Sequence, residues 1–178
     1  MKMSETHIKQ SVEKVIEHYT KNPDDARGPG APVTAVMEDG LRCRVQKQDG
    51  TAIVITDMST GIGGGGSAPS PGLIFRAALA SCDATFITLR AAQEGIKLTT
   101  LEVIVEGDPD DIGTLGFLGI DESVPAGEFG LRLTFRIGAE NATPERLREL
   151  VRWIEDHSPV GDSISRAIPT AVEVEVVG

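Results

Sequence analysis

The chain has 178 residues, an apolar fraction of 40% and a formal net charge of −10. This length and composition predict one ordinary domain with a hydrophobic core. Nucleic acids and anionic membrane surfaces are bound by clustered lysine and arginine, and the absence of such a cluster in the sequence argues against both partners. No apolar run is expected to be long enough for a membrane helix, and the polar N-terminus lacks a signal-peptide core, so a cytoplasmic protein is expected.

The first 32 residues are expected to form a helix and a linker. Apolar residues at helical spacing predict an amphipathic helix over residues 4–20, with Ser4 as its N-cap. Proline and glycine then interrupt regular structure over residues 22–32. Residues 1–32 are therefore interpreted as a packed appendage, and residues 33–178 as the main domain.

The next part of the chain predicts a β-meander followed by a long helix. Residues 33–37, 41–47 and 51–58 are β-prone, and Asp-Gly turn signals separate them. A glycine-rich segment over residues 59–70 is expected to be a flexible loop beside a site. It leads into a mostly apolar helix over residues 71–94, which Gly95 can end.

The remaining pattern completes an α+β fold. Residues 99–106 alternate in polarity and predict a strand, whereas the acidic, glycine-rich residues 107–127 are expected to be irregular. Another strand is predicted around residues 129–137, a helix from Thr143 to about residue 156, and a last strand over residues 170–177. This order of elements is typical of an antiparallel α+β domain.

No cofactor and no metal ion are expected. The glycines of residues 61–66 match the spacing of a dinucleotide fingerprint, but in such a site they overlap the start of the helix, and here residues 67–71 intervene. The acidic run that begins at Asp108 starts like a calcium loop, but Gly119 stands where the bidentate glutamate is needed.

Two cysteines are the remaining candidates for chemistry. Strand alternation places Cys43 on the face opposite Arg42 and Arg44, so Cys43 is expected in the core. Cys82 lies in the middle of the long helix among small residues. On composition alone, a buried structural cysteine is the favoured interpretation of Cys82.

Two motifs change this interpretation of Cys82. Residues 71–82, which end in Leu79-Ala-Ser-Cys82, resemble the first cysteine motif of the OsmC/Ohr family. This family comprises osmotically induced and organic-hydroperoxide-resistance proteins. Residues 155–160, followed by residues 164–169, are similar to the second motif of that family. The order of elements over residues 33–177 also fits. The resemblance implies an intertwined homodimer in which antiparallel sheets surround two long central helices.

The resemblance also implies a peroxide chemistry. In active members the first thiolate attacks a hydroperoxide and becomes a sulfenic acid, which a cysteine of the second motif resolves. An arginine of the N-terminal sheet and a glutamate early in the helix set up the thiolate. In this chain Cys82 is retained, and Arg42 and Arg44 correspond to the sheet arginine. Ser158 stands where the resolving cysteine would be, and Gly72 where the glutamate would be.

Three functions stay open from the sequence. The first is a one-Cys thiol peroxidase in which an external thiol reduces the sulfenic acid of Cys82. The second is a non-enzymatic protein that binds a small apolar or thiol-reactive ligand in the cleft of the dimer. The third is a redox sensor in which oxidised Cys82 reshapes a surface for a partner.

Overall fold

The computed structural model describes residues 5–108 and 112–177. Helices and strands alternate in blocks, which confirms the α+β class. The elements are α1 (Glu5–Lys21), β1 (Val33–Asp39), β2 (Arg42–Lys47), β3 (Ala52–Thr56), α2 (Pro71–Glu94), β4 (Leu98–Gly107), α3 (Gly113–Phe117), β5 (Leu131–Ala139), α4 (Pro144–His157) and α5 (Pro159–Ser165).

The strands form two antiparallel sheets. One has the order β1-β2-β3, and the other pairs β4 with β5. The tight turns of the meander need a left-handed residue, and glycine supplies it at Gly40 (φ +53°) and Gly50 (φ +83°). The predicted meander is therefore confirmed. β4 and β5 run side by side from the Leu98–Ala139 pair to the Gly107–Leu131 pair.

α2 begins and ends where the sequence predicts. The Ser70 hydroxyl accepts a hydrogen bond from the Leu73 N–H, Pro71 occupies the first turn, and Gly95 ends the helix with φ +69°. Among the described helices, α2 is the one whose length and composition would suit a membrane span, contrary to the expectation that no run is long enough. It contains charged residues and packs against β4, α1, α4 and α5, as the core helix of a folded domain does.

The core lies between the C-terminal half of α2, the β4–β5 sheet and α4. Its buried apolar residues are Ile87, Ala91, Ile96, Leu147, Leu150 and Ile154. The N-terminus of α4 is fixed by the Thr143 hydroxyl, which accepts a hydrogen bond from the Arg146 N–H. Since α4 packs on α2 and ends at His157, the core holds the α4–α5 junction against the middle of α2.

Two short helices were not predicted. α3 lies within residues 107–127, which were expected to be irregular. α5 lies within the second motif, with Ser158 as its N-cap and Pro159 in its first turn. Each is at most seven residues long. Such a segment is too short to show the apolar periodicity by which helices are recognised in a sequence.

The strand predicted over residues 170–177 is wrong for the single chain. Residues 171–177 belong to no strand, and Val172, Val174 and Val176 are 81%, 82% and 90% exposed. Alternating polarity gives a segment an apolar face, but a strand also needs an edge whose N–H and C=O groups pair with it. In the described part of the chain, this segment pairs with none of the edge strands.

The N-terminal appendage is a packed helix. α1 contacts α2, and its half-buried residues are Ile8 and Val12. The linker contains one turn of 3-10 helix at Pro23–Ala26 and is otherwise exposed and irregular. The proposed N-cap Ser4 and residues 109–111 of the acidic run lie outside the described residues.

Candidate active site around Cys82

The two motifs meet at Cys82. Its thiol is free and half-buried in the middle of α2. Ser158, at the junction of α4 and α5, is buried, and its Oγ lies 3.5 Å from the Cys82 Sγ as a hydrogen-bond donor. The fold thus places a hydroxyl against the candidate nucleophile, at the position where the resemblance puts a second thiol.

Ser158 is held by both neighbouring helices. Its backbone N–H donates to the Ile154 carbonyl (2.8 Å), which closes the last turn of α4. Its Oγ accepts from the Gly161 N–H (3.2 Å), which caps α5. The hydroxyl beside Cys82 is therefore fixed in place by the secondary structure on each side of it.

Asp83 is a buried acid beside the thiol, and sequence reasoning missed it. Its side chain is 3% exposed, and its Oδ1 has no hydrogen-bond partner among the described residues. Burial raises the pKa of Asp83, and a hydrogen bond with the Ser158 hydroxyl opposes this shift. An aspartate next to the cysteine of an apolar helix is the sequence signal that could have identified it, because burying a carboxyl is costly.

Arg42 and Arg44 lie on the same face of β2, as predicted, and share one carboxylate. The Glu38 side chain accepts from the Arg44 Nε (2.7 Å) and pairs with the Arg42 Nε (3.3 Å). Its pKa is lowered mainly by the hydrogen bond from Arg44 and also by Arg42. The described polar contacts of the two guanidiniums do not include Cys82, so one chain does not bring the three candidate residues together.

Cys43 is only half-buried and is not part of the buried core that the sequence predicted for it. The sheet that carries Cys43 is a single layer, and all seven residues of its first strand are exposed. Strand alternation correctly separates Cys43 from the arginines, but it does not show whether anything covers the other face of the sheet.

The glycine-rich segment folds around a carboxylate. Asp57, buried at the end of the meander, accepts hydrogen bonds from the N–H groups of Met58 (2.8 Å), Gly65 (3.2 Å) and Ser67 (3.0 Å) and from the Ser67 hydroxyl (2.8 Å). These bonds, with those from Ser67 the largest, lower the pKa of Asp57 to about 2. Arg42 also donates to the Ser67 Oγ (2.7 Å), so the loop is tied to β2.

An apolar groove of about 1060 Å³ opens at the N-terminal end of α2. Phe75, Phe117 and Phe129 line it, together with Ile164 of α5. Phe75 precedes Cys82 by seven residues, which is two helical turns, so both lie on the same side of α2 about 10 Å apart along its axis. Gly72 also lines the groove, and a Cβ built there would meet nothing within 4 Å.

A family model described as OsmC-like protein matches residues 64–173, a range that contains both motifs, Cys82, Asp83 and Ser158. The chain belongs to the OsmC-like family. The resemblance inferred from the two motifs is therefore confirmed. Arg42, Arg44 and Glu38 precede the matched range.

Solved structures of this family share the fold. An OsmC-like protein of Mycoplasma pneumoniae is 14% identical, with a TM-score of 0.62 over 78% of this chain and 89% of that one. An organic hydroperoxide resistance protein OsmC of Legionella pneumophila is 20% identical, with a TM-score of 0.54 over 77% and 91%. One from Elizabethkingia anophelis is 17% identical, with a TM-score of 0.53 over 77% and 90%. No curated protein matched the sequence.

The Asp57 anchor predicts a pH-dependent loop. Because the folded pKa, about 2, lies below the ordinary value of 3.8, the anchor stabilises the loop fully above pH 3.8 and is lost as the pH falls through 2. The protection factors of the Gly65 and Ser67 amides against hydrogen exchange should therefore stay high at pH 4 and fall towards pH 2. Asp57→Asn should accelerate the same amides already at neutral pH.

The control for this measurement is Asp49→Asn, which removes a carboxylate from the β2–β3 turn without touching the loop. Amides of β4 and β5 report whether the whole domain remains folded. Unchanged exchange at Gly65 and Ser67 in Asp57→Asn would contradict the role given to this carboxylate.

Proposed function

We propose that this protein is a one-Cys, thiol-dependent hydroperoxide reductase. The Cys82 thiolate attacks the hydroperoxide, the O–O bond breaks, and the products are the Cys82 sulfenic acid and an alkoxide that becomes an alcohol. One external thiol then forms a mixed disulfide and releases water, and a second restores Cys82. The observation that carries the proposal is the 3.5 Å contact between the Cys82 Sγ and the Ser158 Oγ, because it leaves one thiol at the junction of the two motifs.

The apolar groove supports an organic hydroperoxide as substrate. It lies on the side of α2 that carries Cys82, and three phenylalanines line it. A wall of this kind suits an apolar chain whose peroxide end points along the helix towards the thiol. Arg76 and Glu128 form an ion pair at the wall, so neither is left as an unpaired charge there.

Glu38 supports a role for the arginines of the N-terminal sheet. Active members of the family place a carboxylate early in the helix, and Gly72 cannot supply one. Glu38 binds both guanidiniums instead, and the hydrogen bond from Arg44 is the main cause that lowers its pKa. A guanidinium held in this way would favour the thiolate form of a neighbouring cysteine.

We also propose an intertwined homodimer, in which the partner brings the sheet arginines to Cys82. Several apolar surfaces of the single chain have no cover: β1 is exposed along its whole length, and so are the alternating valines of residues 172–176. Leu73 and Phe75 of α2 are also exposed. A second copy covers such surfaces at once and gives the C-terminal segment an edge to pair with. We propose that the dimer is cytoplasmic and acts without a nucleic-acid or membrane partner.

A binding protein without turnover is the second candidate. The observation in its favour is that Cys82 does not line the groove. In that case the groove would hold a small apolar ligand, and Cys82 would react no faster than an ordinary thiol.

The proposed dimer predicts that a charge introduced into the C-terminal segment weakens assembly only when it lies on the apolar face. The full chain should sediment as a dimer at micromolar concentration. Val174→Asp, which places a charge on the apolar face, should raise the dissociation constant about tenfold or more, because burying a valine is worth about 1.5–3 kcal/mol. Glu175→Gln alters the opposite face and is the matched control. A monomeric wild-type protein would contradict the proposed assembly.

The single thiol at the site predicts the oxidation products. After peroxide treatment, mass spectrometry should find the sulfenic acid or a mixed disulfide on Cys82 and no bond between Cys43 and Cys82. Ser158→Cys should instead give an intramolecular disulfide to Cys82, since the two side-chain atoms already lie 3.5 Å apart. Ser163→Cys adds a thiol elsewhere on α5 and should not form this bond. A Cys43–Cys82 disulfide in the wild type would refute the one-Cys cycle.

The sheet arginines predict a change in thiol reactivity. Arg42→Ala or Arg44→Ala should slow alkylation of Cys82 at neutral pH about tenfold or more, which corresponds to at least about 1.4 kcal/mol of lost thiolate stabilisation. Arg136→Ala, which removes an exposed strand arginine paired with Glu102, is the control and should leave the rate unchanged. If neither substitution slows alkylation, the binding function replaces the peroxidase.

A further inference from the structure

The hydroxyl of Ser158 has just enough hydrogen-bonding capacity to connect two acids. A serine hydroxyl offers one donor and two acceptor positions. The Gly161 N–H occupies one acceptor position. The remaining donor and acceptor positions are available to the Cys82 Sγ, which lies 3.5 Å away, and to the buried carboxyl of Asp83, the next residue of α2, whose pKa the Ser158 hydroxyl lowers.

Cys82, Ser158 and Asp83 share two protons, which can be arranged in two ways. In the first, the Cys82 thiol donates to the Ser158 Oγ, and the Ser158 hydroxyl donates to the Asp83 carboxylate. In the second, Ser158 donates to the Cys82 thiolate and accepts from the protonated Asp83. The two states use the same contacts, differ by a shift of two protons along one line, and carry one negative charge in total.

Among the described residues, no cation acts on Asp83 to hold it ionised. No positive group contributes to its titration, and its Oδ1 is without a partner in the described chain. On α1, the half-buried residues that pack towards α2 are the apolar Ile8 and Val12. Other charged groups on the elements packed around the site are engaged in ion pairs, which are Arg76–Glu128, Arg90–Glu94, Glu102–Arg136 and Asp162–Arg166. The remaining ones lie at exposed positions, and these are Glu106, Glu155, Asp156 and His157.

We propose that Cys82, Ser158 and Asp83 form a proton relay. As the sulfur attacks, the thiol proton passes to the Ser158 Oγ while the Ser158 hydroxyl proton passes to Asp83. When the O–O bond of the hydroperoxide breaks and the S–O bond forms, the same route returns a proton from Asp83 to the departing alkoxide, which leaves as an alcohol. This second half rests on the proposed function, whereas the first half does not.

The burial of Asp83 suits it to this role. A carboxyl in an apolar environment holds a proton more firmly than an exposed one, so it is a better base for the first transfer. Its neutral form also avoids a second negative charge beside the thiolate. The departure from the family pattern at Ser158, which removes the resolving thiol, thereby supplies the hydroxyl that the transfer needs.

A purely structural role for Asp83 predicts the opposite change in the alkylation rate of Cys82 when Asp83 is replaced. If Asp83 were an ordinary buried carboxylate, its removal would take a negative charge away from Cys82 and would favour the thiolate. Asp83→Asn would then speed alkylation at every pH or leave it unchanged. Under the relay, Asp83→Asn removes the proton acceptor and slows the reaction below the pH at which the thiol ionises by itself.

The test measures iodoacetamide alkylation of Cys82 between pH 5 and 9 in a Cys43→Ser background. At pH 6, Asp83→Asn and Ser158→Ala should react about tenfold or more slowly than the parent, a threshold set below the roughly hundredfold that a positioned base typically contributes at least. Their rates should rise about tenfold per pH unit, as for a thiolate alone, while the parent shows a flatter profile. Ser158→Thr keeps the hydroxyl and should restore the profile. Asp162→Asn, an acid of α5 paired with Arg166, should not alter it.

Circular dichroism establishes that each variant is folded. If Asp83→Asn fails to fold, the comparison of Ser158→Ala with Ser158→Thr decides the matter. The relay is overturned if Asp83→Asn reacts at pH 6 as fast as the parent or faster, or if Ser158→Ala matches the parent.

The same variants with cumene hydroperoxide separate the relay from the proposed function. Iodide leaves without a proton, so alkylation reports only the first transfer. A peroxide rate that falls more than the alkylation rate in Asp83→Asn supports the return of the proton, and equal falls overturn that half. Slowed alkylation in a protein that consumes no peroxide leaves the first transfer standing and refutes the peroxidase. If the protein consumes peroxide but the variants do not change alkylation, the relay is refuted and the peroxidase stands.

Discussion

The packing of α4 on the C-terminal half of α2 is the contact on which the candidate site depends. Ile154 is completely buried in that interface, and its carbonyl accepts from the N–H of Ser158, four residues later. The hydroxyl beside Cys82 is thereby positioned by the best-packed part of the domain, with no loop in between. A close-packed interior tolerates little movement, so the spacing of Ser158 and Cys82 is as rigid as the core itself.

The other half of the site is built by a separate unit. Arg42 and Arg44 belong to the N-terminal sheet, where Glu38 holds both and Ser67 ties Arg42 to the loop that Asp57 anchors. Among the described residues, the polar contacts of this unit do not include Cys82. The proton-handling groups of the proposed relay therefore come with the core helices, and the cationic groups come with a sheet whose first strand is exposed. In the proposed dimer, the second copy brings these two halves of the site together.

Most elements of the fold were predicted from local signals in the sequence. Features that depend on contacts between distant parts of the chain were missed. Ser70-Pro71 and Thr143-Pro144 each combine a capping side chain with a proline in the first helical turn, and both predicted helices begin there. The prediction of a C-terminal strand was wrong because a strand needs a partner strand, and the sequence of the segment does not show whether one is there. Asp83 escaped notice because a sequence shows that an acid follows Cys82 but not that the acid is buried. Glu38 escaped for a similar reason, as its pairing with two arginines depends on the β1–β2 register.

A hydroxyl at position 158 changes which step of the proposed cycle is slow. A resolving thiol at this distance would capture the sulfenic acid at once, since both partners are held in one protein. With Ser158 in that place, the sulfenic acid waits for an external thiol and is exposed to further oxidation until one arrives. The half-burial of Cys82 limits the approach of a second peroxide and of the reductant alike. If the groove at the start of α2 guides the hydroperoxide, as proposed, it guides the reductant in the same way, and a reductant with an apolar portion that fits between the phenylalanines would regenerate the thiol fastest.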